Sequence, residues 1–243
     1  MFYDKKNAGA PLSLPQISNK YQYHEGSFVS KVHSISKHIP DETLPGRADK
    51  MRLNAQHQVL DTHMLPPFPK GMSFILFGMG CFWGVERKFW LLPEIHTTSV
   101  GYAGGVTPNP TYEEVCSGLT GHTEVVCVVY DSSLISHNEL LNIFWECHDP
   151  TQGMKQGNDR GSQYRSAIYC ETQEQVVAAL DSRDDYQICL TGQGFSAITT
   201  EILINQPYYY AEEYHQQYLY KNPHGYCAMQ GTGVAMRSGD NSL

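Results

Sequence analysis

From residue 72 onward, apolar runs and amphipathic stretches alternate along the chain. Ser73 to Met79 is an apolar run that predicts a buried strand. After Cys81, the residues Val85, Phe89 and Leu92 fall at i, i+4 and i+7 and predict one stripe of a helix. His96 to Tyr102 reads as a strand closed by the turn at Gly104-Gly105. Thr111 and Glu114 have the spacing of a capping box for a short helix containing Tyr112. Glu124 to Tyr130 is strongly β-prone. Ser136 and Glu139 form a second capping box, ahead of a helical face made of Leu140, Ile143, Phe144 and Cys147. Gln152 to Gln163 is polar and glycine-rich and reads as a loop. Tyr164 to Cys170 predicts another strand, and Thr172 to Gln175 caps a helix running toward Leu190. Ile198 to Ile204 predicts a last strand, and Ala211 to Tyr220 a short helix. Strands interleaved with helices in this way predict an α+β fold, a two-layer sandwich whose mixed sheet is flanked by helices.

The flanks differ. Residues 1–70 hold prolines at 11, 15, 40, 45, 66, 67 and 69 and little periodicity, so they predict an irregular arm laid over a domain. Residues 71–222 form the expected main domain, which the resemblance described below makes the catalytic one, and residues 223–243 a flexible, glycine-rich tail.

A net charge of −8 argues against nucleic acid as a partner. No apolar run is long enough to span a membrane, and no secretory signal opens the chain. Seven scattered cysteines, with no Cys-x-x-Cys pair, make a poor disulfide framework and a poor zinc site. A reducing, cytoplasmic setting follows; lysines near the N-terminus leave an organellar address open, and the absence of any metal or bound cofactor is what the family resemblance described below implies.

The candidate chemistry lies at Gly80-Cys81-Phe82-Trp83-Gly84, between the first strand and the first helix. A helix N-terminus offers unpaired N–H groups and partial positive charge, so the Cys81 pKa is expected below the free value of about 8.5. Gly80 and Gly84 would let a substrate approach the sulfur, and Phe82 and Trp83 could wall an apolar pocket. The competing reading is a buried core cysteine, and the residues alone leave both open. Cys116, Cys127, Cys147, Cys170 and Cys189 read as structural. Cys227 sits among glycines, where a thiol could reach a sulfenic acid elsewhere. Glu124 begins an apolar strand, where burial would keep it protonated. Tyr112 and Tyr164 offer neutral O–H donors, and Asp159 lies in a polar loop that could fold over a site.

The segments GCFWG (80–84), GYAGG (101–105), NPTYEEVCSG (109–118), GHTEVV (121–126), QGNDRGSQYRSAIY (156–169), ITTEI (198–202) and YYAEEYHQQYL (209–219) resemble, in order, type A methionine sulfoxide reductases. The resemblance spans roughly residues 40 to 234 and includes the Leu-Pro-Gly-Arg turn at 44–47. It implies that Cys81 attacks the sulfur of methionine S-sulfoxide, free or in proteins, and becomes a sulfenic acid. It implies Glu124 as the acid, Tyr112 and Tyr164 as donors to the departing oxygen, Asp159 as their support, and Phe82 and Trp83 as the methyl pocket. It makes Cys227 the resolving cysteine, with the Cys81–Cys227 disulfide reduced by thioredoxin, and it implies a monomer. Many members carry a further cysteine eight or nine residues beyond the resolving one; here those positions are Ala235 and Met236.

Two other classes compete. A cysteine hydrolase would need an imidazole beside Cys81, and His122 is the best placed in sequence. A binding module would use the Tyr208-Tyr209-Tyr210 stretch as an aromatic surface.

Overall fold

In the computed structural model, residues 37–237 are described; the earlier part of the arm and the last residues of the tail lie outside them. The strands are β1 (Met72–Met79), β2 (Ile95–Ala103), β3 (Thr123–Asp131), β4 (Lys155–Gln156), β5 (Asp159–Arg160), β6 (Ser166–Cys170), β7 (Glu201–Ile204) and β8 (Tyr208–Tyr210). The helices are α1 (Phe82–Trp90), α2 (Tyr112–Cys116), α3 (His137–Cys147), α4 (Gln173–Gly192) and α5 (Tyr218–Lys221). Six strands form one sheet in the order β7-β6-β1-β3-β2-β8, and β4 and β5 make a separate hairpin. β1 runs antiparallel to both neighbours, with Leu76 opposite Cys127 and Tyr169, while β6 and β7 are parallel. The sheet is therefore mixed, as expected for the α+β sandwich.

The strand alternation sorts the core onto two faces. Ile75, Phe77 and Met79 of β1 point to the larger cluster, with Val85, Phe89, Phe144, Trp145, Leu180 and Tyr186 from the helices. Leu76, Val125, Val129 and Tyr169 point to the other face, where Phe68 of the arm and Tyr208 cover them. The arm from residue 37 has no helix or named strand. Its backbone is fixed by Leu44 N–H to the Leu119 carbonyl (3.2 Å) and Arg47 N–H to the Pro108 carbonyl (2.9 Å).

All three predicted capping boxes form, at Thr111, Ser136 and Thr172, because each needs only its own four residues. Five expectations change. The Gln152–Gln163 stretch is not all loop, since Lys155–Gln156 and Asp159–Arg160 pair as β4 and β5, and the strand expected from Tyr164 begins only at Ser166, after the helical turn over Ser162–Tyr164. Pairing in the Ile198–Ile204 run begins only at Glu201, since the N–H and Oγ1 of Thr199 both turn to the Pro150 carbonyl (2.8 and 3.0 Å). It is not the last strand, because Tyr208–Tyr210 pairs with β2 as β8. The helix expected over Ala211–Tyr220 shrinks to α5: Gln217 takes a φ of 47° and gives its N–H to Glu86 Oε2 at 2.8 Å. From Gln206 on, the chain thus serves tertiary partners before local ones. Beyond α5, residues to Arg237 have no helix or strand, yet Met229, Val234 and Met236 pack against the larger cluster. No helix among the described residues is long and apolar enough to cross a membrane.

Buried titratable groups give the fold a pH optimum. Burial lowers the pKa of His57, His122, His148 and His215 to about 4, from 6.5. Burial likewise raises Glu86 to about 7 and Glu124 to about 8. Below the unfolded histidine pKa of about 6.5 the unfolded chain binds the extra protons, so stability falls as pH drops toward 4. The two carboxyls have the opposite sign: the folded state holds their protons, and stability is lost as pH rises through about 7 and 8. Below 6.5 the four histidines outnumber the two acids; above it the acids prevail, joined toward pH 9 by the buried thiols of Cys81, Cys127 and Cys170, whose pKa burial also raises. The melting temperature should therefore peak near pH 6 to 7 and fall on both sides. A melting temperature that keeps rising from pH 7 to 9 would contradict these assignments.

Candidate active site

Cys81 caps helix α1, following the tight turn after β1 where Gly80 takes a φ of 87°. A Cβ at Gly80 would stand 2.7 Å from the side chain of Gln156, so only glycine lets the β4–β5 hairpin close over this junction. Gly84 gives room of a different kind. A Cβ there would lie 2.9 Å from the Cys227 Sγ, so the space expected for substrate is taken by the tail thiol.

The Phe82 N–H donates to Glu124 Oε2 at 3.0 Å, which places this carboxyl against the residue next to Cys81. Glu124 is 2% exposed and lies in β3. Its pKa rises to about 8 through burial and then the Asp159 charge, against the pull of the Phe82 N–H. It is therefore a neutral acid at pH 7.

The expectation of a low pKa at Cys81 is corrected. Burial pushes this thiol up, followed by the charge of Glu124; the Trp83 N–H pulls it down but is outweighed. The helix N-terminus acts as expected but is the smaller effect. Protonation of Glu124 removes one of the opposing charges, so a neutral acid and an accessible thiolate favour each other.

The remaining expected residues surround this pair. Tyr164, ending the turn over Ser162–Tyr164, is held neutral chiefly by burial, with the nearby acidic groups Glu124 and Asp159 adding to the effect as they ionise. Tyr112 opens α2 and is likewise held neutral by burial, and its hydroxyl hydrogen-bonds the Cys116 sulfur. Asp159, in β5, accepts from the Tyr226 hydroxyl at 3.0 Å, and its second oxygen is buried without a partner among the described residues. Phe82 is fully buried against Tyr102 and His215, with ring centroids 6.0 and 5.1 Å away. Cys227 is exposed and accepts a hydrogen bond from Arg87 Nη2 at 3.3 Å. All seven cysteines are free.

Trp83 is fixed by residues the sequence reading did not single out. Its Nε1–H donates to His215 Nδ1 (3.0 Å), and its ring stacks on Tyr218 at 3.8 Å and 14°. Glu212 accepts from the Tyr102 hydroxyl (2.9 Å) and from the Tyr112 N–H (2.7 Å). Only the YYAEEYHQQYL segment carried a signal for them, and their roles depend on contacts between residues 100 to 135 positions apart. The rival readings lose their sites. Gly105 N–H donates to His122 Nδ1 (3.0 Å) and His122 Nε2 bonds the Thr107 carbonyl (2.8 Å), so this imidazole is committed to the backbone. Tyr208–Tyr210 pairs with β2, so these residues do not form a free aromatic patch.

Residues 73–239 match the peptide methionine sulfoxide reductase family. A peptide methionine sulfoxide reductase of Azotobacter vinelandii is 58% identical over 204 residues, covering 84% of this chain and 94% of that protein. The mitochondrial peptide methionine sulfoxide reductase of Bos taurus is 59% identical over 196 residues, covering 81% of this chain and 84% of that protein. Among solved structures, methionine sulfoxide reductase A of Corynebacterium diphtheriae superposes with a TM-score of 0.74 at 45% identity, covering 84% of this chain and all of that one. With the ordered motifs, the mixed sheet and a thiol beside a buried acid at the strand–helix junction, these likenesses show that the chain belongs to the peptide methionine sulfoxide reductase family.

Proposed function

We propose that this reductase works through a two-step thiol cycle on the S epimer of methionine sulfoxide. The observation that carries it is the buried, neutral Glu124 held by the backbone N–H next to Cys81. Cys81 attacks the sulfoxide sulfur while Glu124 gives its proton to the sulfoxide oxygen. Tyr112 and Tyr164 donate to that oxygen, with Asp159 behind them, and the rings of Phe82 and Trp83 take the methyl group. Methionine leaves, its sulfur reduced by two electrons, and Cys81 becomes a sulfenic acid. Cys227 then attacks Cys81: the S–S bond forms, and the hydroxyl leaves as water with the Cys227 proton. Gly84 supports this step, since it leaves space for the Cys227 sulfur within one turn of Cys81. Thioredoxin reduces the disulfide, a reading supported by the resemblance and by the exposure of Cys227. Seven free thiols fit a reducing compartment, and we place the protein in the cytoplasm.

The test is turnover of resolved sulfoxide epimers. Methionine should form from the S epimer alone, and Trp83→Ala should raise KM about tenfold while changing kcat less, as loss of ground-state contacts requires. Equal rates on both epimers would reject the pocket as described.

A further inference from the structure

Glu86 follows Trp83 by three residues on helix α1, on the same side of the helix, and its carboxyl is fully buried. The cycle proposed above gives it no part. Among the described residues this carboxyl accepts three hydrogen bonds. Oε2 takes the backbone N–H of Gln217 (2.8 Å); Oε1 takes the Gln217 side-chain amide (2.8 Å) and the Thr98 hydroxyl (3.2 Å). Behind Thr98 stands His57 of the arm. Its Nδ1 accepts from the Val59 and Leu60 N–H groups (3.2 and 3.0 Å), so the ring proton is on Nε2 and points at the Thr98 oxygen (2.9 Å). Every one of these donors is aimed at Glu86, the pattern that suits a carboxylate. Burial raises the Glu86 pKa, and the Gln217 amide, the Gln217 N–H, Thr98 and the Lys221 charge pull against it.

The consequence lies at Gln217. This residue caps α5 in the left-handed conformation (φ 47°, ψ 42°), which residues with a side chain seldom adopt. Its neighbours close on Trp83. Two positions earlier, His215 Nδ1 accepts from the Trp83 indole N–H at 3.0 Å; one position later, Tyr218 stacks on the indole face at 3.8 Å. Gln216 ties the same turn to β2, its side-chain amide bonding both the N–H and the carbonyl of Val100 (2.9 and 2.8 Å). With Gln216 fixed to the sheet, the two bonds from Gln217 to Glu86 set the turn against α1. The indole that the turn encloses belongs to that same helix.

We propose that Glu86 is a positioning residue for substrate binding: by clamping Gln217 it holds His215 and Tyr218 on the Trp83 ring and so fixes the wall of the methyl pocket. The proposal rests on the pocket reading above. It also gives the arm a task, since His57 braces Thr98 at one end of the clamp and the Met64 sulfur accepts from the Gln217 amide (3.2 Å) at the other.

The test uses KM and kcat for the S-sulfoxide, read from the rate of first methionine release. Glu86→Gln keeps the shape but replaces one oxygen by an NH2 group, so a donor from Gln217 or Thr98 then faces another donor. KM should rise about fivefold with kcat within about twofold, because the ring contacts are made before the attack. In a Trp83→Ala background the same change should add nothing, since the ring it positions is gone. Thr98→Val unlinks His57 but leaves both Gln217 bonds; it should lower the melting temperature and leave KM at the wild-type value. Gln217→Met removes the amide half of the clamp at similar volume, should raise KM about threefold, and carries the test if Glu86→Gln does not fold. A wild-type KM in these Glu86 and Gln217 variants overturns the proposal. So does an equal rise from Glu86→Gln with and without Trp83, or a rise in Thr98→Val that matches it, which would mark a general loosening of the core. If Trp83→Ala itself leaves KM unchanged, the pocket reading fails and the proposal falls with it.

Discussion

Glu124→Gln is expected to lower kcat/KM for methionine sulfoxide by about a hundred- to ten-thousandfold, the range for removing a positioned general acid. The amide can still accept from the Phe82 N–H, which bonds Oε2 at 3.0 Å in the wild type, so the loss is chemical and not a collapse of the junction. The pH profile separates this from a general weakening. Burial raises Glu124 to about 8, so its acid form prevails below that pH, and the wild-type rate should fall as pH climbs through it. Ionisation of Cys81 acts with the opposite sign, since a thiolate gains with rising pH. In Glu124→Gln the falling limb near pH 8 should be gone. If it survives at the same place, the limb belongs to another group and Glu124 is not the acid. The variant should also melt higher than the wild type at pH 9, where an ionised Glu124 would otherwise be buried.

Cys227→Ser should leave the first methionine release at the wild-type rate and cut thioredoxin-supported turnover about a hundredfold or more. The reasons are spatial. The Cys227 sulfur fills the space over Gly84 and is held by Arg87, whereas Glu124 is held by the Phe82 N–H and the Trp83 ring by His215 and Tyr218. Removing it takes away the second step and spares the first. One methionine should appear with a single thiol lost, and a sulfenic acid at Cys81 should be trappable with a dimedone-type probe. A large drop in the first release would place Cys227 in the attack itself.

What could be read from the sequence follows how local each determinant is. The capping boxes at Thr111, Ser136 and Thr172 were legible because each is written in four residues. The apolar run of β1 and the burial of Glu124 were legible because a continuous apolar strand has no wet face. β8 was missed because Tyr208–Tyr210 is a strand only by virtue of Gly101–Ala103, distant in sequence. The helix over Ala211–Tyr220 was overestimated because Gln217 gives its N–H to the buried Glu86 and ends the helical run behind it. The Cys81 pKa was misjudged in sign for a related reason: the helix terminus is visible in sequence, but the burial that outweighs it comes from the surrounding fold.

The central claim is that one sulfoxide consumes the thiols of Cys81 and Cys227 together. The most direct measurement mixes reduced protein with one equivalent of methionine S-sulfoxide, without reductant, and counts methionine and free thiols for the wild type and for Cys227→Ser. The account predicts one methionine from each, with two thiols lost in the wild type and one in the variant. Methionine release with the same thiol loss in both proteins would contradict it, because some other cysteine would then resolve Cys81.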